Sequence, residues 1–273
     1  MLQKALILDL DNTLYSWMDT FAPSFQAQLS FLVKKLMIKE DIILRAFKTV
    51  FKKYGSVEIP DAVSELNIWN QVNLADDEVD KIQKLAQRIF LTTWEKNFHL
   101  YPNVESTLQW AKKNKILIFG LSDAFAYWVE YRLKCLNVLK YFDSIYSRNN
   151  DIIMHSLSVR EFQQNAVITT LTTNELKPNT IVIDRIINFY KIGKEHIYMI
   201  GDSLEKDIST AQRAGVQDVW AKYGTRYNRE SGKILRSITP WTKKRQDLNK
   251  YSHIQITPTY IINDFGEIKQ ILS

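Results

Sequence analysis

Two acidic clusters, one serine and one lysine fall where polar groups end apolar runs or precede a helical stretch. Asp9 and Asp11 follow Ala5-Leu6-Ile7-Leu8, Ser122 follows Ile116 to Leu121, Lys177 precedes a helical pattern, and Asp202, Ser203 and Asp207 follow Ile197 to Gly201. Carboxylates gathered at close range repel one another. A hard divalent cation such as Mg²⁺ resolves that conflict, typically taking one or two carboxylates together with waters and a phosphate oxygen. A serine hydroxyl and a lysine ammonium suit phosphoryl oxygens. A cation site, a phosphate site and a carboxylate free to attack together support phosphoryl transfer through an aspartyl intermediate.

Such a site needs elements that bring distant residues together. Ala5 to Leu8 is apolar without alternation, the pattern of a strand buried on both faces in a parallel sheet. Strand patterns recur at 116–119, 144–146, 197–200, 216–221 and 260–262. Helical stretches at 104–113, 124–136, 180–190 and 205–214 separate most of them, with a short helix expected after the last. This alternation predicts an α/β fold with a doubly wound parallel sheet, whose ligands bind beyond the carboxyl ends of the strands. Between residues 15 and 99 the period is helical instead. Phe21, Phe25, Leu29, Leu32 and Leu36 recur at spacings of three and four, and a further helix is expected over 77–96 behind Asp76, Asp77, Glu78 and Asp80. The expected organisation is a core of residues 1–14 and 100–273 with an all-helical unit, 15–99, inserted in it. Within the core, 148–175 reads as an insertion without clear period, and the basic extension 225–273 has a weakly patterned part, 225–252, that is either mobile or wrapped over the surface.

Taken together, Asp9-Leu10-Asp11-Asn12-Thr13-Leu14-Tyr15, Leu121-Ser122, Lys177-Pro178 and Gly201-Asp202-Ser203-Leu204-Glu205-Lys206-Asp207 resemble the four motifs of the haloacid dehalogenase superfamily, in order. The helical insertion stands where that family carries a cap. The resemblance implies that Asp9 is the nucleophile and that Asp11 is the acid and base. It places Ser122, Lys177, Asn12 and Thr13 around the phosphoryl group, with Thr13 also orienting the acidic loop. It implies that Asp9, Asp202 and the backbone carbonyl of Asp11 hold Mg²⁺, with Asp207 and Ser203 supporting them from behind. Members that cleave carbon–halogen bonds lack a carboxylate at the position of Asp11, so the resemblance is to the phosphatase branch. Lys177 lies 55 residues after Ser122, further than the family pattern suggests.

Composition bounds the remainder. A chain of 273 residues, 45% hydrophobic and 24% charged, is neither disordered nor fibrous. The single cysteine, Cys135, excludes an internal disulfide and any multi-cysteine metal site, and its helical context predicts a buried small apolar residue. His99, His155, His196 and His253 show no ligand spacing. The opening segment lacks a signal-peptide pattern and no apolar run is long enough to span a bilayer, so a cytoplasmic protein, monomer or homodimer, is expected. From Lys222 onward ten basic residues face four acidic ones, an excess equal to the net +6 of the whole chain. No nucleic-acid-binding signature accompanies that charge, and the expected partner is a small phosphorylated metabolite, with a nucleoside 5′-monophosphate as one candidate. A phosphomutase using the same aspartate pair and a non-catalytic phosphate-binding protein are the competing readings.

Overall fold

The computed structural model describes residues 3–239 and 256–273. Strands β1 (Ala5–Leu8), β2 (Leu117–Phe125), β3 (Ser144–Arg148), β4 (Ile168–Leu171), β5 (Ile197–Gly201), β6 (Gln217–Ala221) and β7 (Tyr260–Ile262) form one sheet in the order β4-β3-β2-β1-β5-β6-β7. Every pairing is parallel. The chain winds outward from β1 to β4, returns beside β1 as β5, and continues the other way. That reversal makes the carboxyl ends of β1 and β5 a topological switch point.

The described helices are α1 (Trp17–Leu36), α2 (Glu40–Tyr54) and α3 (Asp76–Asn97) between β1 and β2, then α4 (Val104–Lys113), α5 (Ala126–Cys135), α6 (Leu157–Arg160), α7 (Ile181–Tyr190), α8 (Ser209–Ala214), α9 (Arg229–Ile238) and, after β7, the short α10 (Ile268–Ile271). β1 is apolar throughout because both its faces are covered. Leu6 and Leu8 belong to a cluster with Leu108 of α4 and Val129 of α5, whereas Ala5 and Ile7 pack with Val182 and Ile186 of α7 and Ala211 of α8. The sheet is thus doubly wound, as the sequence pattern predicts. Among the described residues no helix is long and apolar enough to cross a membrane.

α1 begins where Ser16 accepts from the Asp19 amide (3.2 Å), the ordinary N-cap arrangement. Its Phe25 packs edge-on against Phe47 of α2, with ring centroids 4.9 Å apart. The chain leaves the sheet side and returns to it at adjacent points: Tyr15 bridges Leu100, and the Tyr101 amide donates to the Leu14 carbonyl (2.8 Å).

Several expectations are corrected. The stretch 148–175 is not wholly an insertion, because Arg148 ends β3 and Ile168–Leu171 is edge strand β4. Its Thr169 and Thr170 are exposed between buried Ile168 and Leu171, so the period-two signal is missing. β2 runs to Phe125 with a register shift after Ser122, which delays α5 to Ala126. The helix expected from Glu205 opens as a π turn, Leu204–Ile208, before α8. In the extension, α9 packs its buried Leu235 and Ile238 against α1 and α2, while residues 240–255 lie outside the described ones. Cys135 is exposed: two positions beyond buried Leu133, it points to the opposite side of α5.

Candidate active site

The carboxyl ends of β1 and β5 place Asp9 and Asp202 side by side. Asp9 continues the buried strand and its amide donates to the Ile200 carbonyl (2.9 Å), which ties its backbone to β5. Gly201, the last residue of β5, leaves room for Asp207 to fold back over the strand end; a Cβ there would collide with the Asp207 carboxyl. Gly224 is required in the same way, since a Cβ would run into the Asn12 carbonyl oxygen and approach Asp202 Cβ. Two further bonds hold these loops: Trp220 Nε1 donates to the Asp202 carbonyl (2.8 Å) and the Tyr223 hydroxyl to the Thr13 carbonyl (2.6 Å).

Lys177 binds the acidic loops together. Its Nζ, fully buried, lies 2.5 Å from Asp9 Oδ1 and 2.7 Å from Asp207 Oδ1. The second oxygen of Asp9 accepts from the Thr13 hydroxyl (3.0 Å), and that of Asp207 from the Ser203 amide (2.9 Å). Asp9, Asp202 and Asp207 each offer an oxygen within 4.8 Å of the others. Burial pushes the Asp9 carboxyl up, against the pull of Lys177. Burial and then the charges of Asp9 and Asp207 push Asp202 up to about 8. Asp207 rises to about 6, again through burial, despite Lys177. For Lys177, burial works against the charge, but Asp207, Asp9 and Asp123 outweigh it and hold the ammonium protonated. One lysine therefore does not neutralise three carboxylates. The donor set, hard oxygens with surplus negative charge, fits a divalent cation such as Mg²⁺.

Asp11 faces elsewhere. Its carboxylate accepts from Arg132 NH1 at 3.0 and 3.3 Å. Arg132 is fully buried on α5, and its NH2 also pairs with Glu58. Burial raises the Asp11 pKa and the Arg132 charge opposes that rise. The Asp11 carboxylate thus stands outside the carboxylate triad, leaving only its backbone carbonyl for the metal role the motif suggests.

The other expected residues divide. Ser122, buried at the end of the regular part of β2, accepts from the Ala124 amide (3.1 Å). Ser203 caps the turn after β5 by accepting from the Lys206 amide (3.2 Å). Asn12, with φ of 61°, has its side-chain oxygen on the Trp17 amide (3.1 Å) and its own amide on the Tyr15 carbonyl (2.7 Å), so both groups shape the entry to α1. Thr13 reaches the Asp9 carboxylate rather than open space.

Sequence reasoning missed Asp123, Arg132 and Glu58. Asp123 Oδ1 accepts from the Lys177 amide (3.2 Å) and Oδ2 from Lys206 Nζ (2.7 Å), joining the end of β2 to the loops after β4 and β5. Arg132 had a signal, since it shares a helical face with Val129 and Leu133, where a cation must find partners. Glu58, between Val57 and Ile59 in an irregular segment, offered none.

The model of haloacid dehalogenase-like hydrolases matches residues 3–215, and a second, described as HAD-hydrolase-like, matches 176–268. A phosphoglycolate phosphatase of Nitrosococcus oceani is 24% identical over 156 residues, 56% of this chain and 59% of that protein. The chain thus spans about three fifths of that relative's length. A 2-haloacid dehalogenase of Pseudomonas syringae shares the fold with a TM-score of 0.58 at 14% identity, over 99% of this chain and 98% of the other. A HAD hydrolase of Bacillus subtilis, solved bound to magnesium, aligns over the whole of both chains with a TM-score of 0.52 and 16% identity. With a family model covering most of its length and the fold of these structures, the chain belongs to the haloacid dehalogenase-like hydrolases.

Proposed function

We propose that the protein is a Mg²⁺-dependent phosphomonoester hydrolase acting through an aspartyl-phosphate on a small phosphorylated metabolite. The observation that carries this reading is the separation of the two aspartates of the first motif. Asp9 joins Lys177, Asp202 and Asp207, while Asp11 is held apart by Arg132. A dehalogenase needs only the nucleophile; a second carboxylate with its own buried cation suits an acid and base.

Asp9 attacks phosphorus, forming the aspartyl-phosphate as the bond to the leaving oxygen breaks, and Asp11 gives that oxygen its proton. Asp11 then takes a proton from water, whose oxygen attacks the same phosphorus. Inorganic phosphate leaves and Asp9 regains its carboxylate. Lys177 and Ser122 hold the phosphoryl oxygens, and Thr13 fixes the Asp9 rotamer. Asp9, Asp202 and the Asp11 carbonyl would hold Mg²⁺, with Asp207 behind them. When bound, the ion offsets the charge gathered on the carboxylates and the transferring group. Residues 15–99 act as the cap that covers the strand ends and excludes water.

The test is phosphate release from acetyl phosphate, phosphoglycolate, nucleoside monophosphates, sugar phosphates and aryl phosphates, with Mg²⁺ or EDTA, for wild type and Asp9→Asn. Turnover that needs Mg²⁺ and disappears in Asp9→Asn is expected. Isomerised sugar phosphate without free phosphate would mean a mutase, and a folded protein inert toward every ester would overturn catalysis.

A further inference from the structure

A cavity of about 140 Å³ lies between the helical unit and α5, walled by rings that include Phe25, Phe51, Phe90 and Trp94. Glu58 and Arg132 also line it. Since Arg132 is 3.0 Å from Asp11, the cavity begins one side chain beyond the group that protonates the leaving oxygen. Two buried donors on residues that line it, Trp94 Nε1 and Arg132 Nε, have no acceptor among the described residues. Leaving such groups unpaired is unfavourable, so an occupant that supplies an acceptor is favoured.

The volume and the charge constrain that occupant. A dry cavity of about 150 Å³ takes a benzene-sized molecule, so this one suits a single ring and is too small for a nucleoside. The guanidinium of Arg132 already faces two carboxylates, Asp11 and Glu58, and stacks near Trp94 with its carbon 5.2 Å from the ring centroid. An additional anion would meet the Glu58 carboxylate, and that of Asp11 once its proton has gone to the leaving oxygen. Resting on the phosphatase reading above, we propose that the cavity receives the leaving group of the substrate, and that this group is a neutral, ring-sized apolar body carrying one hydrogen-bond acceptor. A carboxylate such as that of phosphoglycolate does not fit this description.

The test compares benzyl phosphate with the isosteric pyridylmethyl phosphates (three isomers, neutral acceptors at pH 7.5) and with two carboxylates, 3-carboxybenzyl phosphate and phosphoglycolate. The best pyridylmethyl isomer is expected to exceed benzyl phosphate in kcat/KM by about tenfold, the worth of one hydrogen bond. Both should exceed the two carboxylates by more than that. Trp94→Phe, which keeps the ring and removes the donor, should erase the pyridyl advantage. Ala62→Phe, which fills the cavity from its wall, should lower the ratio of benzyl to acetyl phosphate turnover at least tenfold.

Binding of the free pyridylmethanols to wild-type protein without Mg²⁺, followed by tryptophan fluorescence, gives a readout independent of chemistry. Saturable quenching that Ala62→Phe weakens is expected. A preference for phosphoglycolate or carboxybenzyl phosphate, or no binding of any pyridylmethanol at millimolar concentration, would overturn the assignment. Binding without turnover of any ester, acetyl phosphate included, would leave the ligand pocket standing and refute the hydrolase reading alone.

Discussion

Removing a carboxylate from the proposed metal site should make the metal-free protein more stable. Asp202 is pushed up to about 8 by burial and by the charges of Asp9 and Asp207. In the unfolded chain an aspartate titrates near ~3.9. Between those values the folded protein holds a proton that the unfolded chain releases, so the stability of the metal-free protein falls as pH rises. Each pH unit in that window costs about 1.4 kcal/mol. From pH 5 to pH 7.5 the penalty at Asp202 therefore grows by on the order of 3 kcal/mol. Asp207, raised to about 6, acts in the same direction over the lower part of the range. Asp202→Asn keeps the shape and the backbone carbonyl that receives Trp220, but cannot carry the charge.

Urea denaturation in EDTA at both pH values, followed by tryptophan fluorescence, measures the effect. The variant should gain on wild type by on the order of 3 kcal/mol between pH 5 and pH 7.5. Mg²⁺ should narrow that gap: at a hundredfold over its Kd a ligand adds about 2.7 kcal/mol to the protein that binds it, and the variant should gain far less. A variant in EDTA at pH 7.5 no more stable than wild type would refute the claim that repulsion among these carboxylates is uncompensated.

Other perturbations address the supports. Arg132→Met strands Asp11 and Glu58 as buried carboxylates, and urea melts should show a loss of about 3–5 kcal/mol; the pH–kcat profile should move to higher pH, with partial restoration in Arg132→Lys. In Gly224→Ala the new methyl meets the Asn12 carbonyl and Asp202 Cβ, so phosphate release should fall at least tenfold and stability by about 2 kcal/mol while the circular dichroism spectrum is retained. Ile238→Ala, truncating a fully buried side chain of α9, should cost about 2–4 kcal/mol. An unchanged melt in the last variant would mean that α9 does not pack on α1 and α2.

The strands and helices that position Asp9, Lys177 and Asp202 were legible because their apolar residues follow a simple period. β1 and β5 are buried on both faces and carry unbroken apolar runs, and α7 alternates at helical spacing. Other features depend on contacts between segments far apart in the chain. β4 is an edge strand with a polar middle, which local pattern does not separate from a loop. The exposure of Cys135 depends on which side of α5 meets the sheet. Spacing also said nothing of the commitments of Asn12, whose oxygen and amide are both consumed by the turn into α1.

Arg132 explains why two aspartates only two positions apart can differ in chemistry. Were both carboxylates to bind Lys177, they would compete for one ammonium. Instead each has its own buried cation: Lys177, on the loop before α7, for Asp9, and Arg132, on α5, for Asp11. The left-handed backbone of Asn12 and the bridge from Asp11 to Tyr15 turn the chain sharply between them. That turn sends Asp11 toward Glu58 and the helical segment, while Asp9 stays at the strand end. Because Glu58 and Trp17 contact the same cluster through Arg132 NH2 and the Trp17 Nε1 bond to Glu58 (2.7 Å), the environment of Asp11 depends on residues 15–99. The pairing of Asp9 with Lys177 is made entirely within the sheet core. A change in how the helical unit sits would therefore alter the partners of Asp11 directly while the Asp9–Lys177 pairing stays in place.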